Sequence, residues 1–152
     1  MIDVEAGRFT IGVFEDVAWA RNALEAFEQA QFPPESLTII AKASAEAIAL
    51  VERVCGVAGA RLELPGIGAV VAHGSLLEAL QGSRRDLGTL GLAATLRRAG
   101  FQTHDGRIFE ALTGRGGVLV AVRSEPRAAD ALALFFSYGG GNAAIGAWTG
   151  RV

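Results

Sequence analysis

Leu64–Leu80, LPGIGAVVAHGSLLEAL, is the stretch that decides how the chain folds. Pro65 and Gly66 mark a turn, and Ile67–Ala72 is a short apolar run carrying β-branched residues, as a buried strand does. Gly74 breaks that run and Ser75 opens a helix. Ser75 and Glu78 stand at the capping-box spacing, so the hydroxyl can accept from a first-turn N–H while the carboxylate reaches back. The stretch therefore reads as a strand turning sharply into a helix, with a strand–helix unit on either side.

On the N-terminal side, Arg8–Phe14 (RFTIGVF) reads as a strand and Asp16 as the N-cap of a helix. Val17, Ala20, Leu24 and Phe27 give that helix an apolar face, and Phe32-Pro33-Pro34 ends it. Leu37–Ala41 is a second strand, and Ser44 caps a helix over Ala45–Gly56. Val57–Leu64, with two glycines, reads as a loop or ragged strand.

On the C-terminal side, Leu87–Ala99 reads as one helix, weakened by Gly88 and Gly91 at about 1 kcal/mol each. Thr103 starts another, running to about Thr113. Gly116-Gly117 introduces Val118–Arg123 (VLVAVR), the clearest strand in the sequence, and a helix over Pro126–Phe136 follows. Residues 1–137 thus form a single domain, and 138–152 form a Gly-rich tail whose Ile145 and Trp148 imply docking. One internal echo is present: TIGVFEDVAWARNALEAF and LVAVRSEPRAADALALFF share a strand, turn and Ala-rich helix, with Leu132 meeting Leu24 and Phe135 meeting Phe27.

The 152 residues carry a formal net charge of −2, which gives no electrostatic footprint for nucleic acid or an anionic membrane. Hydrophobic residues make up 51% and charged residues 20%, a globular balance. Cys55 is the only cysteine, so no disulfide framework and no Cys-based zinc site is expected. The opening MIDVEAGRF carries acids where a secretory signal is basic and then apolar, and no apolar run approaches the roughly 20 residues of a membrane span. The expected location is cytoplasmic.

Three pieces carry a family resemblance: IGVFEDVAWARNALEAFEQAQFPPESLTIIAK, LPGIGAVVAHGSLLEAL and GRGGVLVAVRSEPRAADAL. In this order they resemble bacterial general-stress-protein-like domains, a group related to heat-induced stress proteins. The resemblance implies a ferredoxin-like α+β unit and brings no catalytic residues. The expected fold is accordingly a ferredoxin-like antiparallel sheet of about four strands, with helices on one face and extra helices at 44–56 and 86–113. A doubly wound parallel sheet is the alternative.

The chemistry-bearing residues are few. GIGAVVAHG has neither the dinucleotide fingerprint nor P-loop spacing, and its glycines bracket a strand instead of following one. His73 and Ser75 flank Gly74 at a strand end where a pocket could open, and they are the candidate ligand-binding residues. Ser75 with His73 as nucleophile and base lacks an evident carboxylate to orient the imidazole. A metal site from His73, His104 and Asp105 requires two distant segments to meet. No cofactor is expected. The functional expectation is a non-enzymatic, stress-associated structural or interaction domain that self-associates; the alternative is a small-ligand-binding regulatory module at His73-Gly74-Ser75. The expected partner is a second copy: a ferredoxin-like unit covers one sheet face, Val118–Val122 is apolar on both faces, and the second face is then covered by another copy or, alternatively, by the extra helices at 44–56 and 86–113.

Overall fold

The computed structural model describes residues 8–123, 127–141 and 143–147. The elements in chain order are β1 (Arg8–Phe14), α1 (Val17–Gln29), β2 (Leu37–Lys42), α2 (Ala45–Cys55), β3 (Ala60–Leu64), β4 (Gly68–His73), α3 (Ser75–Gln81), α4 (Leu87–Leu90), α5 (Leu92–Arg98), α6 (Thr103–Gly114), β5 (Val118–Arg123), α7 (Ala128–Ser137) and β6 (Ala144–Ala147). Local chemistry explains the clearest helix starts. The Asp16 carboxylate accepts from Trp19 N–H at 3.0 Å and Ser44 Oγ accepts from Ala47 N–H at 3.0 Å, each satisfying a first-turn donor.

Five strands lie in the order β3-β4-β2-β5-β1, and the short β6 extends the β1 edge. Every neighbouring pair is antiparallel, which excludes the doubly wound parallel alternative for this sheet. The chain crosses from β1 to β2 through α1 with β5 between them, and from β5 to β6 through α7 with β1 between them.

The two strands beyond the expected four come from segments without a strand-like apolar run. β3, inside the stretch read as a loop or ragged strand, pairs with β4 through the Pro65–Ile67 turn, where Ile67 N–H donates to Leu64 C=O at 3.1 Å. β6 lies in the Gly-rich tail, with Ile145 opposite Thr10; Trp148 lies outside the described residues, as does Pro126 at the expected start of α7. The single helix read over Leu87–Ala99 is two, because Gly91 at φ 92° divides α4 from α5.

Helices cover both faces of the sheet. On one face Ile11, Val13, Ile40, Val70 and Leu119 pack with Leu76, Leu80, Leu92, Leu96 and Phe109 of α3, α5 and α6. On the other, Phe14, Ile39, Val118, Val120 and Val122 pack with Leu24 and Phe27 of α1, Leu50 and Val51 of α2 and Phe135 of α7. Ile11 and Val120, in the middle of β1 and β5, are both at 0% exposure. The sheet face expected to receive a second copy is therefore filled by the chain's own α3–α6, while α2 lies beside α1. Among the described residues no helix is long and apolar enough to cross a membrane.

Candidate functional site

The turn from β4 into α3 is built differently from a capping box. Gly74, not Ser75, is the N-cap, with φ 136°, and the Ser75 side chain makes no cap bond. Leu76 N–H instead donates to Thr38 Oγ1 on the adjacent strand at 3.1 Å, inside the protein. A side chain at position 74 has no room: its Cβ would lie 2.5 Å from Thr38 Cα and 2.6 Å from Leu37 O. Glycine is needed here both for backbone conformation and for close strand-to-turn approach.

This packing leaves a cavity of about 380 Å³ at the strand ends. His73, Ser75 and Glu78 line it from the β4–α3 turn, Glu35 and Leu37 from the approach to β2, and Cys55 from the end of α2. The register places His73 opposite Ile39, which brings the β4 end beside the start of β2. Three of these groups were not legible as site residues. Glu78 reads as a capping group, and neither Cys55 nor Glu35 belongs to a motif; the fold brings the ends of α2 and β4 and the turn before β2 together around His73.

Among the described residues the lining is one-sided in charge, with two carboxylates and neither lysine nor arginine. Burial pushes the Cys55 thiol up from its ordinary value, so it is a neutral, weak hydrogen-bonding group at physiological pH. Ser75 Oγ is sheltered from solvent and has no hydrogen-bond partner among the described residues, so the Ser75–His73 nucleophile–base pair is not assembled.

His104 and Asp105 sit on the first turn of α6 and do not line this cavity, and His104 is exposed. Among the described residues no three His, Cys, Asp or Glu side chains gather as metal ligands do. A larger open groove of about 600 Å³ lies between α1 and α2, lined by Asp16, Arg21, Glu46 and Arg53. Its charges are of both signs, and Arg53 is held by Glu25 at 3.1 Å. No family model matches the chain, and neither a curated protein nor a solved structure does.

Proposed function

We propose that the chain is a small-ligand-binding module and that the cavity at the β4–α3 turn is its site. The observation that carries this reading is the convergence of His73, Glu35, Glu78 and Cys55 on one concave space. The two carboxylates and the absence of a basic lining group favour a small ligand bearing an ammonium or several hydrogen-bond donors. The reading is one of binding, since the hydroxyl beside His73 is not held as a nucleophile. The resemblance to general-stress-protein-like domains brings no residue to this cavity and takes no part in the reading.

The fold that accompanies it is a ferredoxin-like core of β1, α1, β2, β5, α7 and β6, with residues 43–117 inserted between its second and third strands. What supports this is the order β6-β1-β5-β2 together with the two split crossovers.

A thermal-shift screen of amines, polyols and amino-acid derivatives tests the function. A ligand at 100 times its Kd adds about 2.7 kcal/mol of stability. A hit whose shift disappears in both His73→Ala and Glu78→Gln supports the site. A hit that is indifferent to both substitutions, or no hit across the screen, rejects it.

A further inference from the structure

We propose that the β3 edge of the sheet is a homodimer interface, in which β3 pairs antiparallel with its own copy about a twofold axis through Leu62. Among the described residues β3 is the outermost strand on its side of the sheet. Its hydrogen-bonding direction follows from its neighbours. Ala43 N–H donates to Ala69 C=O at 3.0 Å, so Ala69 faces the β2 side of β4, and by alternation Gly68, Val70 and Ala72 face β3. Their register partners Leu64, Leu62 and Ala60 are then the residues bonded to β4. Arg61 and Glu63 direct their backbone N–H and C=O groups away from the sheet, on the side where a further strand would pair; α4 flanks this edge, and a Cβ at Gly88 would stand 3.5 Å from the Glu63 carbonyl oxygen.

The side chains of these two residues select the occupant. Both are exposed, and neither has a side-chain partner among the described residues. A guarded edge carries charges that repel a second copy, and two like charges would do so. Here the charges are opposite and two residues apart. In an antiparallel self-pairing centred on Leu62, Arg61 stands directly across from the partner's Glu63, and Glu63 across from the partner's Arg61. Both are hydrogen-bonded pairs, because all four residues have outward backbone groups. The charge pattern thus matches itself in the one register that the backbone also satisfies. Leu90, 51% exposed on α4, which packs against β3, supplies apolar surface beside the same edge. Such pairing runs two six-stranded sheets into one, and it goes beyond the ligand reading without depending on it.

Sedimentation equilibrium across micromolar concentrations, with Arg61→Glu, Glu63→Arg, the double swap and an equimolar mixture of the two single variants, tests the proposal. The wild-type chain is expected to dimerise. Each single variant puts like charges across both pairs and is expected to weaken the dimer about tenfold or more. The double swap restores opposite signs and should dimerise as wild type does. The mixture should form a heterodimer, since one variant presents acids at both positions and the other presents bases. Circular dichroism checks that these exposed substitutions leave the fold intact. A wild-type chain that is monomeric throughout overturns the proposal, as does a dimer whose strength is unchanged in both single variants.

Discussion

Phe27 of α1 and Phe135 of α7 meet edge to face, with ring centroids 5.2 Å apart and planes at 64°. They occupy corresponding places in the two segments that echo one another along the chain, and the fold brings these equivalents into direct contact beneath β1 and β5. Phe14 completes the cluster, stacked on Phe135 at 5.6 Å. Such rings add about 0.5–1.5 kcal/mol per pair beyond the area they bury. The two segments that echo one another are thus packed together through these rings.

The cluster depends on a missing side chain. A Cβ at Gly12 would lie 2.6 Å from Phe135 Cδ1, inside the ring's van der Waals surface. Gly12→Ala is expected to displace Phe135 and destabilise the chain by about 1–3 kcal/mol, and Phe135→Ala to cost about 3–5 kcal/mol. Urea unfolding measures both. If Gly12→Ala leaves the midpoint unchanged, Phe135 is not wedged against β1.

At the cavity, Gly74→Ala puts a side chain at φ 136° against the β2 backbone and should cost more than Gly12→Ala, because backbone cannot move aside as a ring can. Thr38→Val is the milder probe. It deprives the buried Leu76 N–H of its acceptor, for a loss of about 1–3 kcal/mol. Hydrogen exchange should report the change first at the start of α3. Equal protection of Leu76 in the variant and wild type would exclude the cap.

How far the sequence announces this architecture depends on the kind of segment. β1, β2 and β5 are legible because buried central strands must be apolar, and VLVAVR or LTIIA can be little else. β3 is not, because an edge strand half in water carries Ala, Arg, Leu, Glu and Leu, which reads equally as loop. β6 is hidden behind a run of glycines. Two-sided apolarity of β5 reveals that both faces are covered, yet nothing in α4–α6 says which face they take. The pocket at His73-Gly74-Ser75 is legible from Gly74 breaking the strand. Its other half is set by register, which spacing along the chain does not encode.

A buried hydroxyl gives a stabilising prediction. Thr113 is fully buried in α6 and its Oγ1 has no hydrogen-bond partner among the described residues. Thr113→Val keeps the shape and removes the desolvated hydroxyl, so stability should rise by about 1 kcal/mol, or about 2–4 °C in Tm for a chain of this size. Differential scanning calorimetry decides it, and a lowered Tm would show that the hydroxyl has a partner after all.

Cys55 should leave a signature in alkaline solution. Burial raises its thiol above the ordinary value of 9.0, so the unfolded chain loses this proton first. The native state then holds more protons than the unfolded one, and stability falls as pH rises past that value. The difference between wild-type and Cys55→Ala stability should be flat below about pH 8 and shrink above it. Native Cys55 should also react with a disulfide reagent more slowly than the same thiol in urea. Equal rates in the two states would place the thiol in open water.

The end of α1 offers the most specific test, because two residues outside the helix hold it. Gln31 adopts φ 68°, the left-handed conformation that glycine usually takes after a helix, and lets Phe32 N–H donate to Phe27 C=O at 3.0 Å. Arg127, from the start of α7, donates from Nη1 to Ala30 C=O at 2.8 Å and lies over the Phe32 ring, 4.1 Å from its centroid. Gln31→Gly should therefore stabilise the chain by about 0.5–1 kcal/mol, since glycine reaches this conformation without steric cost. Arg127→Ala removes a charge-assisted bond and a cation–π contact from a partly exposed site, and should cost about 1–2 kcal/mol. Arg127→Lys should recover little of that loss, because an ammonium cannot lie flat on the ring while reaching the carbonyl. The order of stabilities under urea is then Gln31→Gly above wild type, and wild type above both Arg127 variants. Should Arg127→Lys match wild type, a single positive charge near the helix C-terminus suffices and the planar geometry of the guanidinium is irrelevant.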